Sequence, residues 1–332
     1  MNLFTKTPHP VLEPQDAIPW ASGAVFNPAA WYADGRVHLI FRAVPRGYRR
    51  IELANAAPGE PATGYDDYVS YLGYAGSDDG VRFTCRETPF IAPEDPFDCY
   101  GAEDARVSQI DGEFLVTYTA LSRPAFGTVD GVRIGLASTR DWVHVEKHGV
   151  VGPDARDKDA VIFPKRIGGR VAMLHRIVPD VQLAWFDDVE QLRRPPDGYW
   201  EAHLRELDRH VVLRAEAPWE GTKVGAGPTP VETDEGWLLV YHGVDEHYVY
   251  RAGLALLDLD DPSRVVARTP HPVLEPEAPF ERVGDVNNVV FPEGAVVIDG
   301  TLHLYYGAAD RVVGHASAPM ADVLALLHEH RR

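Results

Sequence analysis

The chain has 332 residues, 45% hydrophobic and 25% charged, with a formal net charge of −18. Such shares belong to a water-soluble globular protein, and the acidic balance excludes the broad basic footprint that nucleic acid or an anionic membrane requires. Three methionines against 27 prolines and 29 glycines argue for turns and strands over a helix-rich core.

The first residues, MNLFTKTPHP, lack the apolar stretch of an export signal, and no apolar run approaches a membrane span. A cytoplasmic location is therefore expected, with Cys85 and Cys99 as free thiols. Next comes TPHPVLEP at 7–14, which returns unchanged at 269–276. Repetition at that distance signals a structural unit used more than once. Between and beyond the copies, a turn opening into an alternating strand occurs five times. The five are DGRVHLIFRA from Asp34, DGEFLVTYTA from Asp111, GGRVAMLHR from Gly168, EGWLLVYHG from Glu235 and DGTLHLYYGA from Asp299. Each reads as a hairpin with period-two patterning.

A second strand-like phrase follows each: LGYAGSDDG, IGLASTRDW, VQLAWFDDV, GLALLDLDD and VGHASAPMA. A short Val- and Pro-rich strand then follows the first four units only, as TPFIAPED, HGVVGPDA, HVVLRAEA and the second TPHPVLEP. The fifth unit ends in MADVLALLHEHRR, which reads as a terminal helix. Residues 7–14 are thus expected to supply the missing outer strand. The expected fold is all-β: one domain over 1–332, a five-bladed β-propeller closed by its N-terminal strand, with a short C-terminal helix. Such closure hides exposed sheet edges.

The innermost strand of each blade begins with polar residues, in VFNPAAW, GAEDARVSQ, RDKDAVIFP, TKVGAGPTP and GDVNNVVFP. These starts should gather Asn27, Glu103, Asp104, Lys158, Asp159, Lys223, Asp285, Asn287 and Asn288 at one channel mouth. Any one of them is an ordinary turn residue. Their convergence points to a polar ligand site. Period-two alternation is expected to admit only one of Glu103 and Asp104 to the channel. The second strands add Arg42, His175, Arg176, Tyr241 and His242, groups that are costly to bury unpaired. The arginines favour an anion or sugar site, while His175 is equally well read as a satisfied core histidine. Trp20, Trp31, Trp219 and Trp237 could stack sugars, although packing explains most such residues. DLDD at 258–261 reads as a turn, not a calcium loop. The chain has no phosphate-cradling GxxxxGK, no GxSxG elbow and no zinc spacing. No metal or organic cofactor is expected.

These motifs resemble glycoside hydrolase family 130. AEDARV is similar to that family's Glu-Asp-Pro-Arg segment, with Ala105 where proline is usual. KDAVIFPKRIGGRVAMLHR, KVGAGPTPVETDEGWLLVYHGV and GDVNNVVFPEG resemble its later signatures, with Thr229 at a common proline position. The resemblance implies a five-bladed propeller and an inverting glycoside phosphorylase. Its substrate would be a β-1,4- or β-1,2-linked manno-oligosaccharide or mannosyl-glucose, and its product α-mannose 1-phosphate. It implies that Asp104 is the general acid, acting through a sugar hydroxyl, and that Asp285 and Arg42 hold the sugar whose bond is cleaved. Asn27, Glu103, Asp159, Lys223, Tyr241 and Asn287 are further candidates for the sugar. Inorganic phosphate is then the co-substrate, arriving as an anion that needs no protein base. Its candidate ligands are Arg123, Lys158, His175, Arg176 and His242.

A neighbouring carboxylate and partial desolvation are expected to raise the pKa of Asp104. The inserted stretch DDVEQLRRPPDGYWEAHLRELDR is expected to reshape the acceptor subsites. Partners are a small carbohydrate and phosphate, without nucleic acid or membrane, and self-association is compatible with the composition. Two alternatives remain. One is an inverting β-mannosidase with a carboxylate base; the other is a non-catalytic carbohydrate-binding propeller.

Overall fold

The inner hairpins close where the sequence carries Asp-Gly or Gly-Gly. In the computed structural model, which describes residues 3–53, 63–126 and 130–332, Asp34 and Gly35 have φ of 51° and 74°. Asp111 and Gly112 (51° and 77°), Gly168 and Gly169 (57° and 83°) and Asp299 and Gly300 (47° and 75°) repeat that pair of left-handed residues. Two-residue hairpins need this pair so that the turn follows the strand twist. The fourth turn departs from the pattern, with its glycine, Gly236, at φ 151° as the strand begins.

Five antiparallel sheets result. Blade one comprises Ala24–Ala33, Arg36–Val44, Tyr71–Ser77 and Thr84–Cys85, and blade two Gly101–Ile110, Glu113–Leu121, Val132–Thr139 and Val145–Val150. Blade three comprises Lys158–Ile162, Val171–Arg176, Val181–Phe186 and Val211–Leu213. Blade four comprises Lys223–Ala226, Gly236–Val244, Tyr250–Leu257 and Val265–Arg268, with Val231–Thr233 beside its second strand. Blade five is Val290–Ile298, Thr301–Ala308 and Val312–Pro319, completed by Thr5–Lys6 from the other end of the chain.

The N-terminus closes the ring on blade five, but the outer strand is Thr5–Lys6, just before the repeated phrase, whose prolines leave it only isolated bonds to the same blade. Thr5 pairs with Ser317 and Lys6 with Ala316. The Val11 amide then donates to the Val313 carbonyl, and Leu12 bridges Val313. In the second copy, Leu274 bridges Ala252 on the third strand of blade four. The same eight residues therefore do the same work on neighbouring blades. Alternation along the strands builds an apolar cluster between each pair of adjacent sheets. The helix Met320–His328 caps the cluster between blades four and five through Val323 and Leu327.

Two insertions decorate the ring. The hairpin Arg49–Glu52 with Thr63–Asp66 rises from blade one. The long connection in blade three folds as helices Val189–Arg193 and Tyr199–Arg205. Val189, Leu192 and Trp200 pack it against the cluster between blades two and three, on the outside of the ring. It contributes nothing to the wall of the central cavity, which corrects the expected role in acceptor binding. Asp258 caps its own turn, accepting from the Asp260 and Asp261 amides (both 3.0 Å). Cys85 and Cys99 are free thiols. Among the described residues no helix is long and apolar enough to cross a membrane.

Candidate active site

The inner strands do not stay regular where they reach the channel mouth. The ladder slips between Phe26 and Ala29 in blade one, Glu103 and Arg106 in blade two, and Lys158 and Val161 in blade three. Each bulge holds one residue in the left-handed region: Asn27 (φ 48°), Asp104 (53°) and Asp159 (54°). Asn and Asp tolerate that conformation better than other side-chain-bearing residues, and a bulge re-aims a side chain. The three equivalent positions thus deliver an amide and two carboxylates to the axis. Space for them comes from glycine. A Cβ at Gly307 would strike the Asn27 side chain, and one at Gly225 would strike Asp159 and His242.

The bulge also overturns the expectation that only one of Glu103 and Asp104 enters the channel. Both line the central cavity, because the left-handed residue breaks the alternation. Arg42 binds them together: Nη2 donates to Glu103 Oε1 (2.5 Å) and Nη1 to Asp104 Oδ1 (3.1 Å), while Nε donates to Ser70 Oγ (2.9 Å). Burial works against the Arg42 charge, but the two carboxylates outweigh it and raise its pKa. Asn27 Nδ2 donates to Asp104 Oδ1 (2.8 Å). Burial pushes the Asp104 pKa up, yet Arg42, Lys158, the Asn27 hydrogen bond and Arg106 together lower it to about 2. The expected upward shift is therefore reversed. Convergent cations outweigh desolvation.

Across the cavity, Asp159 Oδ2 pairs with Arg176 Nη1 (2.7 Å), and Lys158 Nζ stands 3.5 Å from Glu103 Oε2. Lys223, over the Tyr250 ring at 5.5 Å, and Arg156 also line this side. Beneath, fully buried Arg106 donates to the carbonyls of Asp104 (Nη1, 2.7 Å) and Gly227 (Nε, 2.6 Å). Its Nη1 also lies 2.7 Å from Glu293 Oε1, at the bulge of blade five.

Adjacent residues of the second strands face opposite ways, which separates the remaining candidates. Arg42, Arg176 and His242 turn toward the axis. His175 and Tyr241, each one residue earlier than its inward neighbour, turn between the blades and are fully buried. The Tyr241 hydroxyl donates to Glu220 Oε1 (2.7 Å) and accepts from Arg268 Nε (3.0 Å). His175 Nδ1 pairs with Asp157 Oδ2 (2.8 Å). Neither reaches the cavity, so direct contacts of Tyr241 with sugar and of His175 with phosphate are corrected by the period-two geometry. His242 lies behind Arg176, its Nε2 3.2 Å from Nη1. Burial, then Arg176 and Lys223, lower its pKa well below the ordinary value, so it is a neutral imidazole and not the expected cation.

The other candidates lie off the cavity. Arg123 is exposed and pairs with Asp130 (3.3 Å). Asn287 is exposed and accepts from the Gly284 amide (3.3 Å). Asp285 stands beside the wall, accepting from the Tyr48 hydroxyl (2.5 Å) and Arg311 Nη1 (3.2 Å). Trp20, Trp31 and Trp219 stack on Phe41, Trp142 and Tyr241, and Trp237 meets Phe163 edge-on, all as packing residues. The aromatic wall is instead Phe126, Tyr248, Tyr250 and Phe291.

Sequence reasoning missed Asp310, in the loop after the second strand of blade five. It lines the cavity, and burial raises its pKa to about 7, with Arg42 opposing and Asp104, Asp285 and Glu103 adding to the rise. A folded pKa above the unfolded value means that the folded state holds the extra proton between about pH 4 and 7. Wild-type stability from this group is complete below that window and is lost as pH rises through it. Asp310→Asn should therefore stabilise the protein relative to wild type more at pH 8 than at pH 4.5. Thermal melts at the two pH values check this, and equal differences at both would contradict it.

A family profile described as beta-1,4-mannooligosaccharide phosphorylase matches residues 7–329. The chain belongs to glycoside hydrolase family 130. Among family 130 relatives, a 1,2-beta-oligomannan phosphorylase of Thermoanaerobacter sp. (strain X514) is 39% identical over 316 residues, 95% of this chain and 96% of the relative. A beta-1,2-mannobiose phosphorylase of the same organism is 36% identical over 309 residues, 92% and 94% of the two chains. The solved structure of the beta-1,2-mannobiose phosphorylase from Listeria innocua, in complex with beta-1,2-mannobiose, superposes with a TM-score of 0.80 at 30% identity. That match covers 99% of this chain and all of the other. The family fold is thus the five-bladed ring described above.

Proposed function

We propose that the protein is an inverting β-mannoside phosphorylase acting on β-1,2-linked manno-oligosaccharides. The observation that carries this reading is the two-sided charge of the cavity. Asn27, Glu103, Asp104 and Asp310 occupy one side, with Arg42 clamped between the two inner-strand carboxylates. Arg156, Lys158, Arg176 and Lys223 occupy the other. A sugar ring hydrogen-bonds to the first set, and an inorganic phosphate is held by the second. The carboxylate on the cationic side, Asp159, is committed to Arg176. It is poorly placed as a base for water, which an inverting hydrolase requires.

In the reaction, a phosphate oxygen attacks the anomeric carbon from the face opposite the leaving oxygen. The glycosidic bond breaks, and its oxygen takes a proton relayed from Asp104 through a sugar hydroxyl. The products are α-mannose 1-phosphate and the shortened acceptor. The β-1,2 linkage rests on the relatives that span nearly the whole chain. The protein acts in the cytoplasm, where phosphate is abundant, and needs no metal or organic cofactor.

The test is incubation with β-1,2- and β-1,4-mannobiose, each with and without phosphate. Mannose 1-phosphate should form from the 1,2-linked disaccharide, in phosphate only. Free mannose at equal rate without phosphate would replace this reading by the hydrolase. No turnover under any condition would favour a binding propeller. Preference for the 1,4-linked disaccharide would correct the linkage alone.

A further inference from the structure

Four blades anchor their second strand in the same way, by a ring and an acid from the preceding connection. Tyr118 donates to Asp98 (3.1 Å), Tyr241 to Glu220 (2.7 Å) and Tyr306 to Glu281 (2.7 Å). Blade three alone uses an imidazole, His175, paired with Asp157. The departure coincides with the insertion. His175 Nε2 lies 3.0 Å from His203 Nε2 on the helix Tyr199–Arg205, and the His203 ring stacks on His210 at 4.0 Å.

The acid of this anchor also touches the active-site strands. Asp157 Oδ1 accepts the Arg176 backbone amide (3.0 Å). Lys158 and Arg176 form the first rung of the ladder, and the next rung, Val161 with Leu174, lies beyond the bulge. The Asp157 carboxylate thus holds the end of a short, irregular ladder that carries two of the cavity's cations. Its orientation depends on His175, and that of His175 depends on His203. Burial, His175 and His210 lower the His203 pKa to about 3, so this ring is neutral, with one donor nitrogen and one acceptor.

We propose that His203 of the blade-three insertion is a positioning residue. Through His175 and Asp157 it fixes the Lys158–Arg176 rung and so sets affinity for phosphate from outside the cavity. The inference rests on the reading that these two cations receive phosphate.

The test compares phosphorolysis by full-length wild type, His203→Phe, His203→Gln and Arg176→Ala. Loss of one hydrogen bond in the chain should raise the KM for phosphate about two- to ten-fold. The KM for mannobiose and kcat should stay within about twofold, since their groups lie on other blades. Gln restores a polar atom near the Nε2 position and should bring the phosphate KM back toward wild type. If His203→Phe does not melt cooperatively, His203→Leu serves the same comparison. An unchanged phosphate KM in the apolar variant overturns the proposal when Arg176→Ala raises that constant. So does a uniform loss in all three parameters that Gln fails to rescue, which marks a packing role. An unchanged phosphate KM in Arg176→Ala removes the phosphate assignment itself, and the proposal with it.

Discussion

Asp104→Asn should lower phosphorolysis by at least about 10² to 10⁴, the contribution of a general acid, while the protein still melts cooperatively, at a temperature lowered by loss of the charge that Arg42 and Lys158 stabilise. Asparagine retains the oxygen that accepts from Asn27 Nδ2 and Arg42 Nη1, so the bulge and its contacts survive. Glu103→Gln is the control. Glu103 Oε1 receives Arg42 and Ser70, and Oε2 faces Lys158, so the amide weakens the scaffold without removing the proton donor. A dead Glu103→Gln beside an active Asp104→Asn would exchange the two assignments.

The acid must also gain its proton, since Arg42, Lys158, the Asn27 hydrogen bond and Arg106 outweigh burial and hold Asp104 at about 2. Phosphate beside Lys158 would offset one of the cations that hold it low, and a bound sugar would exclude water; both changes raise the pKa. The acidic group should consequently titrate higher in the profile of kcat than in that of kcat/KM. Rate profiles from pH 4 to 9 check this: kcat should hold level and then fall through the raised pKa, whereas kcat/KM should decline across the whole range, because its acid titrates below it.

Removing residues 1–14 should abolish cooperative folding. Phe4, Val11 and Leu12 are buried, Phe4 in the cluster between blades four and five and the other two between blades five and one. Each such side chain contributes roughly 1.5–3 kcal/mol on burial, together roughly 5–9 kcal/mol. That loss is comparable to the whole net stability of a typical domain, about 5–15 kcal/mol. The deletion also bares the outer edge of Val312–Pro319, an invitation to edge-to-edge association. Thermal melting and size-exclusion chromatography check this. A soluble monomer melting near wild type would show that closure through the N-terminus is dispensable.

The ring itself was legible in the residues. Five Gly-bearing turns, period-two strands and a repeated TPHPVLEP determine blade number, order and closure, because hairpins and alternation are local properties. The inner-strand starts likewise marked Asn27, Glu103, Asp104, Lys158, Asp159 and Lys223, all of which line the cavity. Alternation, carried one residue further, would have turned His175 and Tyr241 away from the axis. What only the tertiary structure decided is where local rules break or distant segments meet. The bulges admit Glu103 and Asp104 together because left-handed residues interrupt the pleat. Asp310 enters from a loop with no distinguishing pattern. The pKa of Asp104 falls because cations from blades one, two and three converge on it, an outcome set by distances through space that no stretch of sequence contains.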